Sequence, residues 1–145
     1  MERIVGIDYG KKRTGVAVSD PLGIFATAIE TVPSANIVAY LKNYTQKESV
    51  IRFVVGYPVN LNNTPCEGTK FVDQFLNLLR KHFPDIPVSL EDERFTSKMA
   101  FQTMIDGGVK KMDRRDKSMV DKISAAIILQ SYLDRGHRSK GNLSV

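Results

Sequence analysis

Three groups of acidic residues in this chain could bind a divalent metal ion. Asp8 follows a short apolar run, the triplet Glu91, Asp92 and Glu93 follows another, and Asp121 stands at the start of a helical pattern. Carboxylates at the carboxyl ends of strands in open α/β sheets lie where ligands bind. Because clustered carboxylates repel each other without a cation, such a cluster favours Mg²⁺ or Mn²⁺. Two such ions can activate water and stabilise the leaving oxygen of a phosphodiester.

Each acid also has an interpretation that involves no metal. Asp8 could be an ordinary turn residue, and the acidic triplet could be a solvated entry to a loop. Asp121 follows Ser118 with the S-x-x-D spacing of a capping box, and the helix dipole favours an acid in the first turn. The residues alone do not decide which acid of the triplet would bind a metal.

Basic residues are concentrated in a few places along the chain. Lysine and arginine number 21 against 16 acids, which gives a formal net charge of +5 and a pI of about 9.4. Clustered cations attract the phosphate backbone of nucleic acids through counterion release, although a charged loop can also be merely solvated. The predicted nucleic-acid-binding residues are Lys12 and Arg13 beside Asp8, Arg94 beside the acidic triplet, and Lys110, Lys111, Arg114, Arg115 and Lys117 in one loop.

Strand and helix patterns predict an α/β fold. Predicted strands span residues 3–9, 14–19, 24–31, 51–56 and 87–90, and predicted helices span residues 34–48, 67–83, 96–105 and 118–134. Hairpins followed by crossover helices predict a mixed five-stranded sheet with helices on both faces, which is the order of the ribonuclease H-like architecture. We expect residues 1–145 to form a single domain, with residues from about 136 to 145 as a flexible tail.

Length and composition favour a cytoplasmic protein with no membrane partner. A chain of 145 residues can bury a core without disulfides, and the single cysteine, Cys66, excludes an internal one. No charged and apolar leader opens the sequence. No apolar stretch approaches the roughly 20 residues that cross a bilayer.

Four stretches of the sequence together resemble one known family. They are Gly6-Ile7-Asp8-Tyr9-Gly10 with Thr14-Gly15-Val16-Ala17, Val55-Gly56-Tyr57-Pro58 with Asn60, Asp92-Glu93-Arg94-Phe95-Thr96-Ser97, and Val120-Asp121 with Ser124-Ala125-Ala126 and Leu129. In order and spacing they are similar to the YqgF/RuvX family, whose members are described as Holliday junction resolvases and as pre-16S rRNA nucleases. The resemblance spans residues 3 to about 134.

The resemblance implies a ribonuclease H-like fold, a Mg²⁺ or Mn²⁺ cofactor, and cleavage of nucleic acid during maturation of pre-16S ribosomal RNA. By motif position it assigns Asp8, Glu93 and Asp121 as the catalytic and metal-binding acids. The chain departs from the pattern at Asn63, where the family usually has glycine. Related resolvases also carry an acid after the fourth strand. This chain has Gly56-Tyr57-Pro58 there, so the second acid would come from Glu93.

The expected substrate is structured RNA, and three alternatives stay open. A DNA resolvase acting on Holliday junctions would need a dimer with two active sites, whereas a catalytically silent RNA-binding protein would need no metal. The segment Gly6-x-Asp8-x-Gly10 also resembles the phosphate loop of actin-like ATPases and sugar kinases. Those enzymes enclose a nucleotide between two copies of the fold, and 145 residues supply one copy. The sequence does not indicate an oligomeric state.

Overall fold

Five strands form one mixed sheet in the computed structural model, which describes residues 2–58, 67–92 and 117–143. The strands are β1 (Glu2–Tyr9), β2 (Arg13–Ser19), β3 (Ala26–Pro33), β4 (Ser49–Tyr57) and β5 (Val88–Asp92). The described helices are α1 (Ile37–Lys47), which follows a 3-10 turn at Ser34–Asn36, α2 (Glu67–His82) and α3 (Lys117–Leu143). None of these helices has both the length and the apolar character needed to cross a bilayer.

The strand order in the sheet is β3-β2-β1-β4-β5. β1, β2 and β3 are antiparallel neighbours, while β4 lies parallel to β1 and β5 lies parallel to β4. Parallel neighbours need a crossover connection, and α1 and α2 lie in the connections that lead to β4 and β5. The carboxyl ends of β1, β4 and β5 therefore meet at one edge of the sheet, which we call the carboxyl edge.

Side chains from the sheet divide between two hydrophobic cores. On one face, α1 and α2 pack against residues such as Ile7 and Phe53. On the other face, α3 packs against Ala17 and Val54. Because successive strand residues point to opposite faces, Gly6 and Asp8 lie on the α3 face. The predicted mixed sheet with helices on both faces is confirmed.

A glycine in β1 allows α3 to approach the sheet closely. A Cβ atom at Gly6 would lie 2.6 Å from the Leu129 Cβ atom and 3.0 Å from the Ala125 carbonyl oxygen. Later in the helix, Leu133 lines a cavity together with Ile4. The contacts of α3 thus move toward the amino end of β1 as the helix advances, so α3 runs antiparallel to β1.

We expect Gly6→Ala to lower the free energy of unfolding by about 1–3 kcal/mol, the usual cost of overpacking a core. The added methyl group would meet helix backbone, which cannot move aside alone. Denaturant unfolding measures the loss. Gly23→Asn is a suitable control, because a Cβ at Gly23 meets nothing within 4 Å and asparagine tolerates the observed φ of 69°. Wild-type stability in Gly6→Ala would contradict the close packing of α3.

The third strand begins two residues later than predicted. The Asp20 carboxylate accepts hydrogen bonds from the backbone N–H groups of Ile24 (2.7 Å) and Phe25 (2.8 Å), and these bonds hold the chain in a turn. The strand starts only at Ala26 and continues to Pro33, where the sequence predicted a helix to open. Proline is tolerated there because β3 lies at the edge of the described sheet.

The last helix is longer than predicted. α3 continues to Leu143, whereas the sequence pattern predicted an end near Asp134. The flexibility of residues 136–145 stays a prediction. The predicted helix at residues 96–105 lies outside the described residues.

The amphipathic pattern of α2 is confirmed, but two of its apolar residues are exposed. Phe75 and Leu79 are fully buried, while Phe71 and Leu78 are 38% and 40% exposed. Phe71 comes one turn before Phe75, which stacks on Tyr9 at the end of β1. The ring of Phe71 is exposed because α2 extends past the carboxyl edge of the sheet at this point.

Candidate active site

Asp8 lies at the carboxyl edge of the sheet, on the face that α3 covers. It is the next-to-last residue of β1 and pairs with Gly15 of β2. Its neighbours Ile7 and Tyr9 pack against the opposite core. Asp8 is only partly buried, so a ligand at the edge of the sheet can reach it.

The direction of α3 carries Asp121 toward the same edge. Asp121 lies one helical turn before Ala125, whose carbonyl oxygen lies over Gly6, and Asp8 lies two residues after Gly6. A rise of about 1.5 Å per helical residue and about 3.3 Å per strand residue puts both residues roughly 6–7 Å beyond this crossing. They lie in the same direction because α3 is antiparallel to β1. Asp121 is described by its backbone only.

The capping-box interpretation of Asp121 does not fit the observed helix. α3 begins at Lys117 and has no acidic residue in its first turn. Ser118 is therefore the second helical residue, whereas the serine of a capping box precedes the helix. Asp121 thus lies beyond the first turn of α3, where the spacing had placed a capping acid.

Glu91, one of the three consecutive acids, forms an ion pair with Arg135 of α3. The Glu91 side chain is 4% exposed and that of Arg135 is 59% exposed. Because a buried carboxylate is costly unless it is paired, Arg135 stabilises Glu91 in its position on the α3 face. Asp92 ends β5, is exposed, and points to the opposite face by strand alternation. The next residue, Glu93, lies outside the described residues.

The turn between β1 and β2 is fixed by hydrogen bonds from Ser34. The Ser34 backbone N–H donates to the Lys12 carbonyl (2.9 Å), and its hydroxyl donates to the Gly10 carbonyl (2.6 Å). The buried Thr14 hydroxyl lies 2.8 Å from the Ser34 hydroxyl. Because the Ser34 hydroxyl already donates its proton to the Gly10 carbonyl, the Thr14 hydroxyl is the donor in this pair. A Cβ at Gly10 would lie 2.4 Å from the Arg13 carbonyl oxygen, so this turn requires glycine.

The turn presents a row of cations beside Asp8. Lys11 and Lys12 are exposed and Arg13 is partly buried. Lys12 and Arg13 were predicted from the sequence, whereas Lys11 was not. Lys11 places its ammonium group 5.4 Å from the centre of the Phe71 ring. The basic run Gly10-Lys11-Lys12-Arg13 already indicated that Lys11 could bind nucleic acid. Its contact with Phe71 joins residues 60 positions apart in the sequence, so only the fold could show it.

Several predicted site residues are not covered by the structure. Those outside the described residues are Glu93, Arg94, Lys110, Lys111, Arg114 and Arg115. Lys117 begins α3 and is described by its backbone only. Within residues 2–58, 67–92 and 117–143, no three His, Cys, Asp or Glu side chains form a group that could hold a metal ion. The metal site formed by Asp8, Glu93 and Asp121 stays a prediction.

The fold defines the class of protein. The Fowlpox virus resolvase, solved in complex with Holliday junction DNA, aligns with a TM-score of 0.58 and 10% identity over 92% of this chain and 97% of the resolvase chain. RuvC of Thermus thermophilus, solved with a Holliday junction substrate, aligns with a TM-score of 0.55 and 16% identity over 93% of this chain and 96% of RuvC. At these identities the likeness shows the fold alone. It is the ribonuclease H-like fold, as predicted.

The sequence identifies the family within this class. Residues 2–135 match the model of the RuvX family, described as Holliday junction resolvase. A protein of Phocaeicola vulgatus is 54% identical over 92% of this chain and 96% of its own length. A protein of Bacteroides fragilis is 50% identical over 92% of this chain and 97% of its own length. Both carry the name "Putative pre-16S rRNA nuclease". The chain belongs to the RuvX family, a family of nucleases, which confirms the resemblance found in the sequence.

Proposed function

We propose that this protein is a metal-dependent endonuclease whose active site lies at the carboxyl edge of the sheet, around Asp8. The observation that carries the proposal is the packing of α3 on Gly6, which directs Asp121 toward the edge that Asp8 occupies. Two acids brought together on one face of the sheet would repel unless a cation lay between them. A divalent cation is the simplest group that would stabilise this arrangement.

Asp8, Glu93 and Asp121 would hold the Mg²⁺ or Mn²⁺ ion. All three offer carboxylate oxygens, which are the ligands that these hard cations prefer. Within the acidic triplet, Arg135 neutralises Glu91 and Asp92 points to the opposite face, which favours Glu93 as the remaining acid. When bound, the ion would supply an activated water and stabilise the charge that develops on the leaving oxygen.

The turn between β1 and β2 would hold the phosphate that is cleaved. Because Ser34 fixes the Gly10 and Lys12 carbonyls, the turn loses little backbone freedom when a substrate binds. Lys12 and Arg13 would then lower the negative charge around the scissile phosphate and let water approach it. Cations carried on a turn with a fixed backbone need little backbone reorganisation during the reaction.

The substrate that we propose is structured RNA, namely the precursor of 16S ribosomal RNA. The name shared by the relatives at 54% and 50% identity supports this choice. An enzyme that matures this RNA works in the cytoplasm, and we propose that location. A Holliday junction in DNA is the second candidate, supported by the description of the matching family model.

A cleavage assay with Mn²⁺ on matched substrates tests the proposed function. The substrates are a pre-16S RNA fragment and a four-way DNA junction, each assayed with Mn²⁺ and with EDTA. We expect Mn²⁺-dependent cleavage of the RNA and little cleavage of the junction. Faster cleavage of the junction would favour the resolvase function. Equal cleavage of the RNA in EDTA would contradict metal dependence.

Nucleic-acid binding is expected to depend strongly on salt through the basic loop. Replacing Lys110, Lys111, Arg114 and Arg115 together by alanine should flatten the slope of log affinity against log salt by roughly two to four units, because each lost phosphate contact contributes about 0.7–0.9. Fluorescence anisotropy at several salt concentrations measures the slope.

A matched control variant removes four positive charges from a different part of the surface. The exposed residues Lys42, Lys47, Arg80 and Lys81 lie on α1 and α2, away from the start of α2 at the carboxyl edge. Their replacement by alanine should leave the slope nearly unchanged. An unchanged slope in the loop variant would instead place the binding surface outside the loop.

A further inference from the structure

An aromatic ring is exposed at the carboxyl edge of the sheet, on the face that α2 covers. Phe71 is 38% exposed. One turn later in α2, Phe75 stacks on Tyr9 with ring centres 4.4 Å apart and an interplanar angle of 3°. Tyr9 follows Asp8 in β1 and points to the opposite face, so Phe71 lies just past the end of β1 on the face opposite to that of Asp8.

The position of Phe71 is held by contacts between α2 and the end of β4. The Thr69 hydroxyl donates a hydrogen bond to the Pro58 carbonyl (2.7 Å). The Tyr57 hydroxyl donates to the Asp73 carboxylate (2.9 Å). These bonds lie two residues before and two residues after Phe71, so the ring projects from a fixed segment of helix.

The partly exposed ring of Phe71 contacts a cation of the turn between β1 and β2. Lys11 is an exposed residue of the turn beside Asp8, and its ammonium group lies 5.4 Å from the ring centre. A cation–π contact at an exposed site is weak. A nucleobase also has a flat π-face, and stacking on an aromatic ring is the stronger contact. A base can therefore replace the ammonium group on the ring, which frees Lys11 to pair with a neighbouring phosphate.

We propose that Phe71 and Lys11 form a binding site for one unpaired nucleotide of the substrate, with the base on Phe71 and a phosphate on Lys11. The inference rests on the proposed function, because it places this nucleotide at the same edge of the sheet as the phosphate that is cleaved. It also narrows the substrate class. A base inside a continuous duplex is stacked on both sides and cannot offer its face, so the substrate must have an unpaired base close to the cleavage site.

The absence of tryptophan from the sequence makes this site directly observable. Phe71→Trp introduces the only tryptophan of the chain and places it at the proposed stacking position. Titration with single-stranded RNA in EDTA needs no cleavage, and we expect the tryptophan fluorescence to fall as bases stack on the ring. A blunt RNA duplex should quench it much less. Leu78→Trp is the matched control, because Leu78 is 40% exposed on the same helix but two turns farther from the carboxyl edge; its fluorescence should stay unchanged.

Affinities of three further variants provide an independent readout. Phe71→Leu should bind single-stranded RNA roughly tenfold more weakly with an unchanged salt slope, because stacking is lost and no charge is removed. Phe71→Tyr should retain wild-type affinity. Lys11→Ala should lower the salt slope by about one unit. Wild-type melting temperatures verify that the variants are folded.

The failure of this inference is distinguishable from the failure of the proposed function. If the protein binds and cleaves RNA but Phe71→Trp shows no quenching, or Phe71→Leu keeps its full affinity, the stacking site is overturned and the nuclease function stands. Equal quenching in Leu78→Trp would also overturn it, because the effect would not be specific to position 71. If the wild-type protein binds neither RNA nor DNA, both proposals are overturned.

Discussion

Asp8→Asn should reduce Mn²⁺-dependent cleavage by more than about 100-fold, because removal of even an outer-shell partner of a metal ligand costs about 10–100-fold. Asparagine has nearly the same shape as aspartate, so the β1 strand and its pairing with β2 should be retained. What is lost is a negatively charged oxygen at the carboxyl edge. Single-turnover cleavage measures the loss of activity. The rise in melting temperature on addition of Mn²⁺ should shrink in parallel, because metal that binds only the folded state stabilises it.

Asp92→Asn is the matched control for this prediction. It makes the same chemical change at the same edge of the sheet, but on the face opposite to Asp8. We expect its cleavage rate to stay within a few-fold of wild type. If Asp8→Asn behaves like Asp92→Asn, the acid at the end of β1 does not take part in the reaction, and the active site must be sought elsewhere.

The sheet was well predicted because the patterns that define its strands and connections lie within short stretches of the sequence. The apolar run before Asp8 and the hairpin spacing define β1 and β2, and the crossover helices determine which strands are parallel. The predicted start of β3 was wrong because the true start depends on Asp20. The carboxylate of Asp20 accepts hydrogen bonds from two backbone N–H groups of the following turn. A pattern of apolar residues does not indicate that a polar side chain will bind backbone N–H groups and so delay the start of a strand.

The site was less predictable because its important contacts join distant residues. The pairing of Glu91 with Arg135 spans 44 positions, and only the fold could show that this acid is already neutralised. The exposure of Phe71 could not be predicted either, because the period of α2 placed it with the buried Phe75. A helical period indicates which residues share a face, but not where that face extends beyond the sheet.

Asp121→Asn should leave the metal-free protein as stable as wild type or more stable, while cleavage and stabilisation by Mn²⁺ are both lost. Removing one of several neighbouring negative charges relieves repulsion when no cation is bound. Cleavage should fall by more than about 100-fold, as for a lost metal ligand. Denaturant unfolding in EDTA and single-turnover cleavage with Mn²⁺ measure the two effects separately.

The opposite result would restore the capping role for Asp121. A capping acid should cost on the order of 0.5–1 kcal/mol in EDTA when it is neutralised and leave cleavage nearly intact. Ser118→Ala separates the two roles. The loss of a true N-cap serine would cost about 1 kcal/mol. Because α3 begins at Lys117, Ser118 lies inside the helix, where alanine is the better helix former, and its replacement should be neutral or slightly stabilising. If both variants unfold more easily in EDTA and both cleave at the wild-type rate, Asp121 belongs to the start of a helix, and the nuclease mechanism loses its third acid.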